Sequence, residues 1–300
     1  MTPVNLLNLK PEEFKKFLDS FDHVFSDCDG VIWTQKALPR VGEFFDLMKK
    51  HGKTVHFVSN NSLRTKENYE EMFLDAKIEN GSQCLTIPSV AICEYLKSVN
   101  FNKKVYSASC PQATVMMESH GFECKTGPEL SRDYYDPVYL NYFDDDPEIG
   151  AVVLDCDFRM NLTKLNKAIT YLKRPDVLFL CGATDRKFYI KKGCAVLSSA
   201  IFIDIASSEA KREPICMAKP SKTFGEFAMK RAGVTDPSRV LFIGDMLQQD
   251  VGLGKAIGFK TLLILTHFSK EQMFADKNLP DFYADSLGSI VPLLEVNMFI

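Results

Sequence analysis

The stretch His23-Val24-Phe25-Ser26-Asp27-Cys28-Asp29-Gly30-Val31-Ile32-Trp33 decides how the chain is read. Its first four residues form a short β-rich apolar run, the pattern of a buried strand. Two carboxylates follow at the strand's end, two residues apart, with a glycine behind them. In an extended chain those side chains share a face, about 6.6 Å apart along the strand. Gly30 lets the backbone turn tightly beside a ligand.

Working outward, the same plan recurs. Apolar strand runs at 54–59, 105–107, 151–154, 177–181, 240–243 and 261–265 alternate with amphipathic helical segments at 41–50, 65–74, 162–173 and 222–232. Gly233 supplies a C-terminal cap for the last helix. Strand–helix–strand alternation builds right-handed βαβ units and a mostly parallel sheet, so the fold class is α/β.

Ligands of such sheets collect at the carboxyl ends of the strands. Besides Asp27 and Asp29, two further strand ends carry polar groups there: Ser59-Asn60-Asn61, and Gly244-Asp245 with Asp250 five residues on. Acids crowded at one sheet edge repel unless a cation sits among them. Asp27, Asp29 and Asp245 form an all-oxygen set that suits Mg²⁺ better than zinc. Ser59, Asn60 and Asn61 offer a hydroxyl, amides and backbone N–H groups to a phosphate oxygen, although Ser and Asn also serve as plain helix caps. Lys219, with Pro220 placed in the first turn of a helix, would bring an ammonium to both phosphate and carboxylates. Asp250 either caps the next helix or orients the metal's waters. The residues alone do not say which Asp attacks.

Composition bounds the alternatives. In 300 residues, 36 Lys and Arg against 39 Asp and Glu leave a net charge of −3, which gives no footprint for nucleic acid or an anionic membrane surface. No apolar run approaches the ~20 residues of a membrane span, and the N-terminus lacks the apolar core of a signal peptide. Nine cysteines without a CxxC pair read as reduced thiols of a cytoplasmic protein. The segment 127–150, rich in Tyr, Asp and Pro, reads as part of an insertion.

Together, Asp27-Cys28-Asp29-Gly30-Val31-Ile32-Trp33, Ser59-Asn60-Asn61, Lys219-Pro220-Ser221 and Gly244-Asp245 with Asp250 resemble the four ordered motifs of the haloacid dehalogenase superfamily of phosphatases. The wording is similar to the branch that holds 4-nitrophenylphosphatase, phosphoglycolate phosphatase and pyridoxal phosphatase. The resemblance implies a Rossmann-like parallel-sheet core with helices on both faces, from 1–103 and 217–300, and an inserted α/β cap at 104–216. The strand runs near 105, 151 and 177 would form the cap's own sheet.

The implied activity is Mg²⁺-dependent hydrolysis of small-molecule phosphate monoesters through an aspartyl-phosphate. In that scheme Asp27 is the nucleophile and Asp29 the general acid and base. Ser59, Asn60, Asn61 and Lys219 hold the phosphoryl group. Asp27, the Asp29 backbone carbonyl and Asp245 hold the metal, with Asp250 behind them. Pyridoxal phosphatase specificity is the alternative within this class, and a catalytically inactive metal- and phosphate-binding protein the alternative outside it. A hydrolytic dehalogenase would need neither Asp29 nor a metal. Relatives also suggest a homodimer through the cap. Four features depart from the family pattern: Arg40-Val41, Asp155-Cys156-Asp157-Phe158-Arg159, the basic loop 184–194 with Arg186, Lys187, Lys191 and Lys192, and His267 where glycine is usual. The basic loop suggests a substrate with an extra anionic group.

Overall fold

The computed structural model describes residues 2–128, 141–191 and 194–298. Most of the Tyr/Asp/Pro segment, at 129–140, and Lys192 of the basic loop lie outside the described residues. Contacts divide the chain into two compact units, one of 1–59, 65–86 and 219–300, the other of 60–64 and 87–218.

With strands numbered along the whole chain, the first unit contains β1 (Val4–Asn5), β2 (His23–Ser26), β3 (Thr54–Val58), β4 (Leu85–Thr86), β12 (Val240–Gly244), β13 (Lys260–Ile264) and β14 (Phe282–Ala284). They form one sheet in the order β1-β14-β13-β12-β2-β3-β4, and every pairing is parallel. A parallel sheet must be covered on both faces, which is why β12 is buried at every position. Helices Val41–Lys50 and Leu287–Asn297 pack on each other. An aromatic chain runs from Phe45 to Phe57 to Phe73 to Trp33, with ring centroids 4.7–5.2 Å apart. These rings fix the loop after β2, since Trp33 is buried within three residues of Gly30.

The helix after Lys219 differs from expectation. It runs Lys222–Ala232 with Ser221 at its N-cap, so Pro220 precedes the helix instead of occupying its first turn. Gly233 closes it in the left-handed conformation, as its position suggests.

The second unit has its own parallel sheet: β5 (Lys104–Ala108), β6 (Cys124–Lys125), β7 (Ile149–Leu154), β8 (Leu178–Cys181) and β11 (Ile215–Cys216), ordered β11-β8-β7-β5-β6. Three of these are the strands expected near 105, 151 and 177. Helices Leu162–Leu172 and Ala200–Ala210 bury their apolar sides against it, with Tyr106, Val152, Phe179 and Ile203 in the core. The loop 184–194 instead enters an antiparallel hairpin, β9 (Lys187–Lys191) with β10 (Cys194–Leu197). Arg186 there pairs with Asp204 at 2.7 Å.

Candidate active site

The site grows from the carboxyl ends of β2, β12 and β13, which are adjacent in the sheet. β2 pairs with β12 as far as Ser26 and Ile243. The Asp27 N–H then donates to the Ile243 carbonyl at 2.8 Å, carrying the ladder one residue further. Asp27 therefore sits where the strand stops, held by main-chain bonds on a rigid element.

Lys219 reaches this point from the segment before helix Lys222–Ala232. Its Nζ lies 2.8 Å from Asp27 Oδ1 and 2.8 Å from Asp250 Oδ1, and the side chain is 2% exposed. The ring of Phe242 lies 5.8 Å from the same ammonium. Burial alone would lower the lysine's pKa, but the charges of Asp250 and Asp27 outweigh it and hold the group protonated, above the usual lysine range. Asp250 is fully committed: its Oδ2 accepts from the N–H groups of Asp245 and Met246 at 3.0 and 2.9 Å. It anchors both the lysine and the loop that presents Asp245.

Asp245 is buried, and its Oδ1 has no hydrogen-bond partner among the described residues. One ligand atom each from Asp27, Asp245 and Asp250 lie within 4.8 Å of one another. Burial, then the charges of Asp27 and Asp250, push the Asp245 carboxyl up. Burial likewise raises Asp27 to about 7, with Lys219 pulling the other way and Asp250 and Asp29 adding to the rise. Buried carboxylates that repel one another, one with an orphaned oxygen, fit a hard divalent cation well. Oxygen atoms are the only donors in that set, as Mg²⁺ prefers.

Asp29 lies close enough for its charge to act on both Asp27 and Asp245. Its carboxylate is not one of the three mutually close groups; Trp33 Nε1 donates to its Oδ1 at 3.2 Å. Ser59 is buried one residue beyond β3, its N–H donating to Thr86 O at 3.0 Å. Asn60 and Asn61 fall in the second unit. There Asn60 Nδ2 donates to Asp185 Oδ2 at 2.9 Å, and Asn61 Oδ1 accepts from Leu63 N at 2.9 Å. The structure thus gathers Asp27, Lys219, Asp245 and Asp250, brings Asp29 near them, and gives the two asparagines local partners.

Two glycines make the assembly possible. A Cβ on Gly30 would fall 1.9 Å from Asp245 Oδ2, at φ +81°, and one on Gly244 would fall 2.2 Å from the Asp250 side chain. Sequence reasoning missed Thr266, whose Oγ1 donates to the Gly30 carbonyl at 2.6 Å and ties β13's end to the turn. It noted His267 only as a departure, yet His267 Nε2 lies 3.1 Å from Asp245 Oδ2. The usable signal was position: both residues follow β13 directly, beside β12.

Residues 24–123 match the model of the haloacid dehalogenase-like hydrolases, and residues 216–290 match a second, HAD-hydrolase-like model. The chain is 32% identical to phosphoglycolate phosphatase 2 of Arabidopsis thaliana over 302 residues, covering 96% of this chain and 98% of the relative. The chain belongs to the haloacid dehalogenase-like hydrolases. Within them it is also 28% identical to the glycerol-3-phosphate phosphatase of Rattus norvegicus, over 97% of each chain. The fold is that of a 4-nitrophenylphosphatase from Thermotoga maritima, with a TM-score of 0.74 at 22% identity over 92% of this chain and 98% of that one. In this haloacid dehalogenase-like hydrolase, the four sequence motifs correspond to the strand ends and loops just described.

Proposed function

We propose that the protein is a phosphatase of small-molecule phosphate monoesters that works through an aspartyl-phosphate on Asp27. The observation that supports it most is the buried Asp27–Lys219–Asp250 arrangement beside Asp245 at one sheet edge. The phosphatase names of relatives that match along almost the whole chain point the same way.

Asp27 attacks phosphorus with a carboxylate oxygen while the bond to the leaving alkoxide breaks. Asp29 gives the alkoxide its proton. Asp29 then takes a proton from water as the water oxygen bonds to phosphorus and the Asp27–phosphorus bond breaks. Lys219 holds the transferring group and the Asp27 carboxylate in register. Ser59 donates to a phosphoryl oxygen, and the backbone after it, at Asn60 and Asn61, shapes the pocket. A divalent ion, Mg²⁺ in this proposal, would be held by Asp27, the Asp29 carbonyl and Asp245. When bound it offsets the repulsion between an anionic nucleophile and an anionic ester.

The substrate assignment follows the relatives' names: phosphoglycolate or glycerol phosphate, with pyridoxal phosphate as the competing reading. The Arg186–Asp204 pair reduces the net positive charge of loop 184–194, which weakens the case for an extra anionic group on the substrate. Values of kcat/KM for these three and for 4-nitrophenyl phosphate, with Mg²⁺ and with excess EDTA, test the proposal. Hydrolysis that needs Mg²⁺ supports it, and full activity in EDTA overturns the metal assignment. Failure to hydrolyse any of the four overturns the phosphatase reading.

Among the described residues no helix is long and apolar enough to cross a membrane. We place the enzyme in the cytosol, where its nine unbridged cysteines stay reduced. A homodimer through the inserted unit belongs to the same proposal, and light scattering at about twice 33.9 kDa would support it.

A further inference from the structure

The two carboxylate oxygens of Asp245 have different surroundings. Oδ1 is buried and has no hydrogen-bond partner among the described residues. Oδ2 lies so close to the Gly30 backbone that a Cβ there would fall 1.9 Å away. His267 Nε2 stands 3.1 Å from the same Oδ2, the spacing of an ordinary N–H···O bond. A carboxylate only accepts, so the imidazole donates and its hydrogen sits on Nε2. The histidine is supported by both chain neighbours. Thr266 Oγ1 donates to the Gly30 carbonyl at 2.6 Å, and Phe268 packs on the apolar cluster around Leu247, Leu263 and Met273. The Asp245 N–H donates to Asp250 Oδ2 at 3.0 Å, so the residue is tied at its backbone and at one carboxylate oxygen.

We infer that His267 is a positioning residue for the cation site: by holding Oδ2 it leaves Oδ1 as the oxygen that Asp245 offers, and it is not a ligand itself. The carboxylates whose ligand atoms lie within 4.8 Å of one another are Asp27, Asp245 and Asp250; the imidazole stands behind one of them. Hydrogen-bond partners behind a metal's ligands fix their orientation, and losing one costs about 10–100-fold in metal affinity or activity. A glycine at this position, the usual residue in the family pattern, has no side chain to give that bond. The inference rests on the metal reading of the proposed function and adds an orienting hydrogen bond to it.

Calorimetric titration of the protein with Mg²⁺ alone tests it, alongside steady-state kinetics on 4-nitrophenyl phosphate at saturating Mg²⁺. His267→Ala should weaken Mg²⁺ binding by about tenfold or more. His267→Gln, whose amide N–H can replace the imidazole donor, should recover most of that loss. At saturating Mg²⁺ the KM of His267→Ala should match wild type, because the bond goes to Asp245 and not to the ester. The side chain is 36% exposed, so neither change empties a core position. Wild-type Mg²⁺ affinity in His267→Ala overturns the assignment. So does a Gln variant as weak as the Ala variant, which marks lost packing and not a lost donor. A raised KM at saturating Mg²⁺ overturns it too, since that marks a contact to the ester. If wild type itself binds no Mg²⁺, the underlying metal reading fails and this inference with it, and that outcome is distinct from the other three.

Discussion

Asp27 gains its character from what surrounds it. A carboxylate on a solvated loop would be a common acid; here it is buried, bonded to Lys219, and crowded by two more acids. Lys219 is the counterweight. Replacing it by Met would leave Asp27 and Asp250 buried without their shared cation, and breaking a buried pair in this way costs about 3–5 kcal/mol. Urea denaturation of metal-free Lys219→Met should show a loss of that order; a loss below about 1 kcal/mol would show that the ion pair is replaceable by solvent. Gly30 sets a second residue-level constraint. A methyl group there collides with Asp245 and strains a positive φ, so Gly30→Ala should lower kcat/KM by at least ~10²-fold, the usual cost of displacing a catalytic group by an ångström. An Ala variant with wild-type kinetics would mean that Asp245 can shift freely.

Among secondary-structure elements, the strands that carry the site were legible because buried parallel strands are written as unbroken apolar runs, as in Val240-Leu241-Phe242-Ile243. Short edge strands such as β1, β4 and β6 were not, because two residues carry no periodicity and pairing is decided by tertiary contacts. Loop 184–194 read as a charged loop, yet β9 and β10 pair across it, a choice set by cross-strand partners and not by composition. Helix Leu162–Leu172 holds a buried ion pair, Lys164 Nζ to Asp157 Oδ2 at 3.0 Å, with both side chains at most 3% exposed. Lysine so deep in a sheet–helix layer could not be read from the sequence, since lysine is rarely buried. Asp157→Asn or Lys164→Met alone should each destabilise by about 3–5 kcal/mol, whereas the double variant Asp157→Leu/Lys164→Met should recover most of it. Equal loss in single and double variants, measured by denaturant titration, would show that volume and not charge pairing is what matters there.

For the whole molecule, Asp27 and the distant pair Asp245 and Asp250 meet at one sheet edge because β2 and β12, far apart in sequence, pair in parallel and end together. The convergence of the acids was legible: Asp27 and Asp245 each follow an apolar run, and ligand sites of such sheets gather at those strand ends. The division of labour was less so. Asp250's bonds to Lys219 and two backbone N–H groups depend on a turn that no spacing rule specifies, and so does the anchoring of Asn60 by Asp185. If the carboxylate cluster binds a cation, the folded state gains about 2.7 kcal/mol at a hundredfold excess over Kd. Thermal melts should therefore rise with added Mg²⁺ or Mn²⁺ in wild type and stay flat in Asp245→Asn; a flat response in wild type would contradict a metal centre.

The most direct test of the account is phosphate release from 4-nitrophenyl phosphate with saturating divalent metal, wild type against Asp27→Asn at matched, circular-dichroism-verified fold. Covalent transfer through Asp27 predicts turnover in wild type and less than about one per cent of its kcat in the variant, the scale of loss when a nucleophile is removed. Comparable rates in the two proteins would contradict it.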